Sequence, residues 1–122
     1  MLKYVLVAGG GALGSMARYW VGTTIANRVN ALFPYGTFVV NLTACVMIGF
    51  ALTWMERRTD VNPAWRFLIP IGFLGGYSTF SAFEWETFVR LDTGAFLVAG
   101  LYVVLSVVLG LFAVWLGAAL AR

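Results

Sequence analysis

Two stretches of this sequence, Gly36–Met55 and Ala95–Leu120, run for 20 and 26 residues without a single charged side chain. A helix needs about 20 mostly apolar residues to cross the hydrocarbon of a bilayer, so both read as spanning helices with lipid as their solvent. Composition points the same way. Of 122 residues, 61% are apolar or aromatic and 11% are Asp, Glu, Lys or Arg, whereas a soluble domain carries about 25% charged residues to cover its surface.

Two further spans fit between the charges. The predicted spans are residues 4–25, 36–55, 65–91 and 95–120, in one compact four-helix domain. The first is interrupted only by Arg18 and is followed by Asn27, Arg28, Asn30 and Pro34. The second stops at Glu56-Arg57-Arg58-Thr59-Asp60. The third begins after Asn62 and Pro63 and is internally weak, holding Pro70, Gly72, Gly75 and Gly76 and then Glu84, Glu86 and Arg90. An N-terminal Lys3 ahead of an apolar run resembles a secretory signal, but cleavage would leave Arg18–Ile25 as a charged aromatic stub, so the span is expected to be retained. Lys3, Arg57, Arg58, Arg66 and Arg122 fall on one side and Arg28 and Arg90 on the other. That bias favours cytoplasmic termini by a margin small enough for both orientations to be populated. Trp54 and Trp65, and Trp20, Phe33 and Tyr35, are placed as rings at the two headgroup levels.

Most chemistry is excluded at the outset. There is no His, and the single Cys45 forms neither an internal disulfide nor a thiolate cluster. Eight Lys and Arg against five acids, all scattered, make no nucleic-acid footprint. Gly9, Gly11 and Gly14 match G-x-G-x-x-G, but no acid follows at the distance a ribose requires. Gly10 and Gly14 read instead as a small-residue face for close helix packing. Asn41-Leu42-Thr43 matches a glycosylation sequon yet lies inside a span.

Asn41 therefore needs another partner, because a polar amide in lipid must be satisfied. Thr37, one turn earlier, extends it into a polar stripe. In the third span, Gly75-Gly76-Tyr77-Ser78-Thr79 form a weak point near the bilayer midplane, where free carbonyls are tolerated only if protein, water or a cation meets them. Phe80 and Phe83 follow on one helical face, then Glu84 and Glu86. Glu86 and Arg90 have the i, i+4 spacing of an ion pair. Tyr102, Ser106 and Gly110 fall one turn apart on the fourth span, and Arg18 is expected to face an aqueous vestibule.

The segments Gly75–Phe83, Gly36–Leu42 and Leu13–Tyr19 together resemble the signature segments of the CrcB/Fluc fluoride channels, and the likeness extends over essentially the whole chain. The resemblance implies an all-α membrane protein of four transmembrane helices per subunit, with the third helix broken. Two copies would form an antiparallel, dual-topology homodimer in a bacterial plasma (inner) membrane. It implies a passive, selective channel that exports fluoride and protects the cell against its toxicity. It assigns Asn41 as an amide donor to fluoride, Phe80 and Phe83 as rings lining the pathway, and Tyr102 and Ser106 as a hydroxyl track that Gly110 cuts short. Arg18 corresponds to the vestibule arginine. Gly75 and Ser78 correspond to positions whose backbone carbonyls, doubled by the dimer, hold a structural sodium ion. The implied partners are a second copy, fluoride and membrane lipid, with no nucleic acid. The competing reading is a small dual-topology proton-coupled cation or drug exporter, which needs an embedded acid such as Glu84 or Glu86. A non-transporting assembly subunit leaves Asn41 and the weak third span unexplained, and an enzyme lacks a nucleophile–base pair.

Overall fold

The computed structural model describes all of residues 1–122 and is helical throughout, without strands. Helix α1 (Leu2–Arg28) leads through a short loop to α2 (Tyr35–Glu56). The third span begins as α3 (Ala64–Arg66), widens into π-type turns over Phe67–Leu74 and returns to α-helix in α4 (Gly75–Tyr77). It then breaks at Ser78 and Thr79 and resumes as α5 (Phe80–Asp92). Helix α6 (Phe96–Ala121) completes the chain. The fold is thus four helical spans with the third in two pieces.

Helices α2 and α6 are long and apolar enough to cross a membrane, and only 22% of the most apolar stretch of each is buried within the subunit. A core helix of a soluble protein would be mostly covered, so these two carry their apolar surface for lipid. Helix α1, at 27 residues, has the length to cross but carries Lys3 and Arg18. Each half of the third span falls short of a crossing alone. The 13 residues of α5 reach about 20 Å against a hydrocarbon core of about 30 Å.

Small residues set the packing. Helix α1 lies along the π-type turns, where a Cβ at Gly14 would stand 2.0 Å from the Phe73 carbonyl oxygen and one at Gly10 2.3 Å from that of Leu68. The expected small-residue face is therefore a backbone-to-backbone crossing. Helix α6 packs chiefly on α2, with Gly49 against Val114 and Gly117 against Val46. Between these pairs sits a small core of Val40, Ala44 and Tyr77, flanked by Ala17, Val21 and Phe73. Tyr77 stacks on Phe73 at 5.8 Å and its hydroxyl meets that of Thr43 at 2.9 Å.

Local sequence explains where the third span widens. Pro70 has no N–H to give and its ring crowds the preceding turn, so the helix passes it in wider turns. Within the expected weak segment Gly75–Thr79, Gly75 and Gly76 stay helical. The break falls on the two hydroxyl residues after them, Ser78 at φ −79°, ψ 157° and Thr79 at φ −150°, ψ 118°. Thr79 then caps α5, its Oγ1 accepting from the Ala82 N–H at 3.3 Å. Just past the end of α5, Gly94 has a φ of +84°, which suits a residue without Cβ, and the short turn sends α6 back alongside α5 and α2.

Candidate functional site

The break is held by one side chain. Asn41, on α2, accepts the Thr79 N–H at Oδ1 (2.9 Å) and donates through Nδ2 to the Thr79 carbonyl at 3.0 Å. An amide carries two N–H donors, so one remains. The arrangement has a consequence for the backbone, because in a continuous helix the Thr79 N–H would bond the Gly75 carbonyl. The Ser78 carbonyl likewise loses the Ala82 N–H, which goes to the Thr79 hydroxyl. Ser78 closes its own turn by donating N–H and Oγ to the Leu74 carbonyl at 3.0 and 2.8 Å. Gly76 is treated differently, since Arg18 donates Nε–H to its carbonyl at 3.1 Å. Arg18 therefore reaches back to the break and retains four of its five N–H donors for other partners.

Asn41, Ser78, Thr79, Phe80, Phe83 and Ser106 converge on one groove of about 380 Å³ between α2, α4–α5 and α6. Most of the remaining lining is apolar, including Ala44, Ile48 and Leu74. No charged side chain lines it. Phe80 is 74% exposed and Phe83 only 7%, their ring centroids 5.9 Å apart, so Phe80 sits on the open side of the groove and Phe83 on its inner wall. Gly75 and Ser78 are exposed as well. Gly110 lies off this groove, packed towards the Cys45 thiol.

Tyr102 belongs to an adjoining cluster. It is fully buried and donates its hydroxyl to Glu86 Oε2 at 3.1 Å, while Thr37 donates to Glu86 Oε1 at 2.5 Å. The expected Glu86–Arg90 pair is not formed. Arg90 instead donates Nε–H to the Leu32 carbonyl at 3.0 Å, tying α5 to the α1–α2 loop. Helical spacing brings Glu86 and Arg90 to one face, but hydroxyls from α2 and α6 reach the carboxylate from the protein interior. Around Tyr102 the rings of Phe83, Phe33 and Phe38 pack at 4.9, 5.4 and 6.5 Å. Phe33, in the loop before α2, thus packs its ring on Tyr102.

Six of the site residues foreseen from sequence fall into two neighbouring groups, while Arg18 meets the Gly76 carbonyl and Gly75 lies exposed outside both. Asn41, Phe80, Phe83, Ser106 and Ser78 share the groove, and Tyr102 joins Thr37 and Glu86 beside it. Phe83 touches both, through the groove wall and the Tyr102 ring. Sequence reasoning missed Glu86 as the acceptor of two hydroxyls. The available signal was an acid within a span whose neighbours on other helices, Thr37 and Tyr102, were already singled out as polar stripes.

Comparison with known proteins adds to this geometry. Residues 5–118 match the family described as CrcB-like protein, Camphor Resistance (CrcB). A protein of Solibacter usitatus named Fluoride-specific ion channel FluC is 51% identical over 121 residues, covering 99% of both chains. A protein of the same name from Acidobacterium capsulatum is 52% identical over 116 residues, covering 95% of this chain and 93% of its own. Another from Caulobacter sp. is 42% identical over the whole chain and 96% of the relative. With bacterial ion channels as relatives and helices of this apolarity, the chain is an integral membrane protein of the bacterial plasma membrane and not an enzyme. A match that leaves only four residues at each end uncovered, together with relatives of about half identity over full length, shows that this chain belongs to the CrcB-like family.

Proposed function

We propose that the groove is half of a passive fluoride pathway, completed by a second, antiparallel copy of the chain. The observation that carries this reading is the chemistry of the lining: Asn41, Ser106 and two phenylalanine rings, with no charged group among them. Fluoride is small and strongly hydrated, so a dry passage must offer short hydrogen bonds in place of water. The free Asn41 N–H and the Ser106 hydroxyl supply donors, and the positive edges of Phe80 and Phe83 supply a weaker attraction. A fixed cation in the constriction would hold the ion too firmly, whereas conduction needs binding weak enough to leave. Names given to the relatives support fluoride as the ion.

Ser106 places a donor on α6 one turn from Tyr102, whose own O–H is held by Glu86, and Arg18 offers its remaining N–H groups to water at the approach. A dual-topology homodimer is supported by what one subunit leaves open: Phe80, Gly75 and Ser78 are exposed on a single copy. The same surface suits a structural sodium ion. Carbonyl oxygens are the donor set of a hard monovalent cation, and those of Gly75 and Ser78 have lost the N–H groups of Thr79 and Ala82 to other acceptors. Two copies would hold the ion by four such carbonyls, and a bound sodium would supply fixed positive charge beside the pathway. Asn41 keeps those carbonyls free by holding the break open.

No nucleotide motif is present, so flow follows the gradient. An anion leaving a cell that is negative inside gains about 2.3 kcal/mol per 100 mV, which directs fluoride outward and protects the cell against its toxicity. The test is fluoride release from vesicles holding the purified chain, read with a fluoride electrode after potassium ionophore clamps the voltage. Release far above that of protein-free vesicles is expected, and its absence would refute the reading.

A further inference from the structure

A second and larger cavity, about 1130 Å³, opens at the other end of the subunit, beside the loop between α2 and α3. Its walls are apolar. Leu13 of α1, Val46 and Phe50 of α2, and Leu68 and Phe73 of the third span line it, and its polar groups gather at the loop. From Trp54 at the mouth to Val46 at depth is eight helical residues, about 12 Å, close to the ~15 Å thickness of one hydrocarbon leaflet. The shape is a one-leaflet slot.

The rim carries both signs of charge. The Arg58 guanidinium lies 4.4 Å over the Trp54 ring, which holds a cation at the mouth. Asp60 and Asn62 line the cavity itself, and Asn62 uses its Oδ1 to accept the Ala64 N–H at 2.9 Å, leaving its amide donors free. A guanidinium and an amide suit a phosphate, and a carboxylate suits a primary ammonium. Trp54 and Trp65 are the amphipathic rings expected where chains meet headgroups. Ile69 and Phe73 face this slot, whereas Ile71, between them in sequence, does not line it and is exposed. Leu74 lines both this slot and the groove described above, so it forms the wall between them; the slot holds Asp60, Asn62 and Trp65 beside the loop, whereas the groove holds Ser78, Thr79 and Phe80.

We propose that this cavity is a binding site for one phospholipid with a zwitterionic, primary-amine headgroup, phosphatidylethanolamine in chemical type. Its acyl chains fill the slot, Arg58 and Asn62 meet the phosphate, and Asp60 meets the ammonium. The proposal does not depend on which ion the subunit conducts.

The test uses the full chain in vesicles, with Trp20→Phe, Trp85→Phe and Trp115→Phe leaving Trp54 and Trp65 as reporters. Their quenching is compared between phosphatidylethanolamine and phosphatidylcholine carrying bromine on the chains. The two lipids share net charge, but the choline has no N–H for Asp60. The expected result is a preference for phosphatidylethanolamine of roughly threefold, the scale of one exposed ion pair. Asp60→Asn should abolish the preference and Arg58→Gln should weaken quenching by both lipids. Equal quenching by the two lipids overturns the headgroup assignment. Quenching by aqueous iodide in place of lipid shows a water-filled cavity, and protection from lipid and iodide alike shows a protein cover; either overturns the site. Should the triple variant not fold, mass spectrometry of the unaltered chain decides: retained phosphatidylethanolamine in preference to phosphatidylcholine supports the site, and no preference overturns it.

Discussion

Asn41 and Thr79 exchange two hydrogen bonds, side-chain amide to backbone peptide, across the gap between α2 and the broken third span. The pair mimics one rung of a sheet ladder inside a helical subunit. It explains how a backbone that leaves helical geometry is tolerated at this depth, since both polar groups of Thr79 are met without water. It also leaves one Asn41 N–H for an anion.

Asn41→Asp separates these two duties. The carboxylate still accepts the Thr79 N–H but cannot donate to its carbonyl, and it brings a charge of the same sign as the ion. At about 4 Å in a medium of effective dielectric 20, two like charges repel by about 4 kcal/mol, so fluoride release should fall roughly a hundredfold or more. Electrode recordings from vesicles check this, and flux equal to that of the unaltered chain would remove Asn41 from the pathway.

Phe80 and Phe83 should behave alike in transport and differently in stability. Replacing either with Ile removes an aromatic edge and should suppress fluoride release. Phe83 is buried against Tyr102, so Phe83→Ile should also cost about 1–2 kcal/mol of stability. Phe80 is exposed on the single subunit, and its replacement should leave that stability nearly unchanged. Thermal unfolding in detergent separates the two.

Glu86 is expected to couple to Thr37 and not to Arg90. Glu86→Gln keeps one carbonyl acceptor where the carboxylate served two hydroxyls, a loss of about 1–2 kcal/mol. In double-mutant cycles, Glu86→Gln and Thr37→Val should be strongly non-additive, whereas Glu86→Gln and Arg90→Gln should add. Additivity in the first pair and coupling in the second would restore the ion pair.

If sodium is held by the carbonyls of Gly75 and Ser78, replacing it with a large organic cation should destabilise the assembly. A site a hundredfold above its Kd contributes about 2.7 kcal/mol, visible as a lower melting temperature that lithium or potassium restores only in part. Identical melting in all four cations would argue against the ion.

What could be read in advance follows from how local each feature is. The uncharged runs of α2 and α6 announce themselves, because spanning a bilayer is a demand on length and polarity alone. Asn41 stood out as an amide where lipid offers no partner. The glycines and hydroxyls of Gly75–Thr79 mark the weak segment, and within it the chain parts at Ser78 and Thr79 while Gly75 and Gly76 remain helical, because a helix can continue through glycine while Asn41 captures the Thr79 backbone. That capture depends on α2 lying alongside, which spacing within the third span cannot reveal. Glu86 was misassigned for the same reason. Its neighbour four residues on is legible in sequence, whereas Thr37, 49 positions away, is not. The packing of Phe33 on Tyr102 and the bond from Arg90 to the Leu32 carbonyl are likewise contacts between distant segments.

The most direct measurement is fluoride and chloride release from matched vesicles under one imposed voltage, with Asn41→Asp run beside the unaltered chain. Rapid fluoride release, negligible chloride release and a nearly silent Asn41→Asp are expected from a narrow passage of uncharged donors. Equal passage of both halides, or no passage of fluoride, would contradict it.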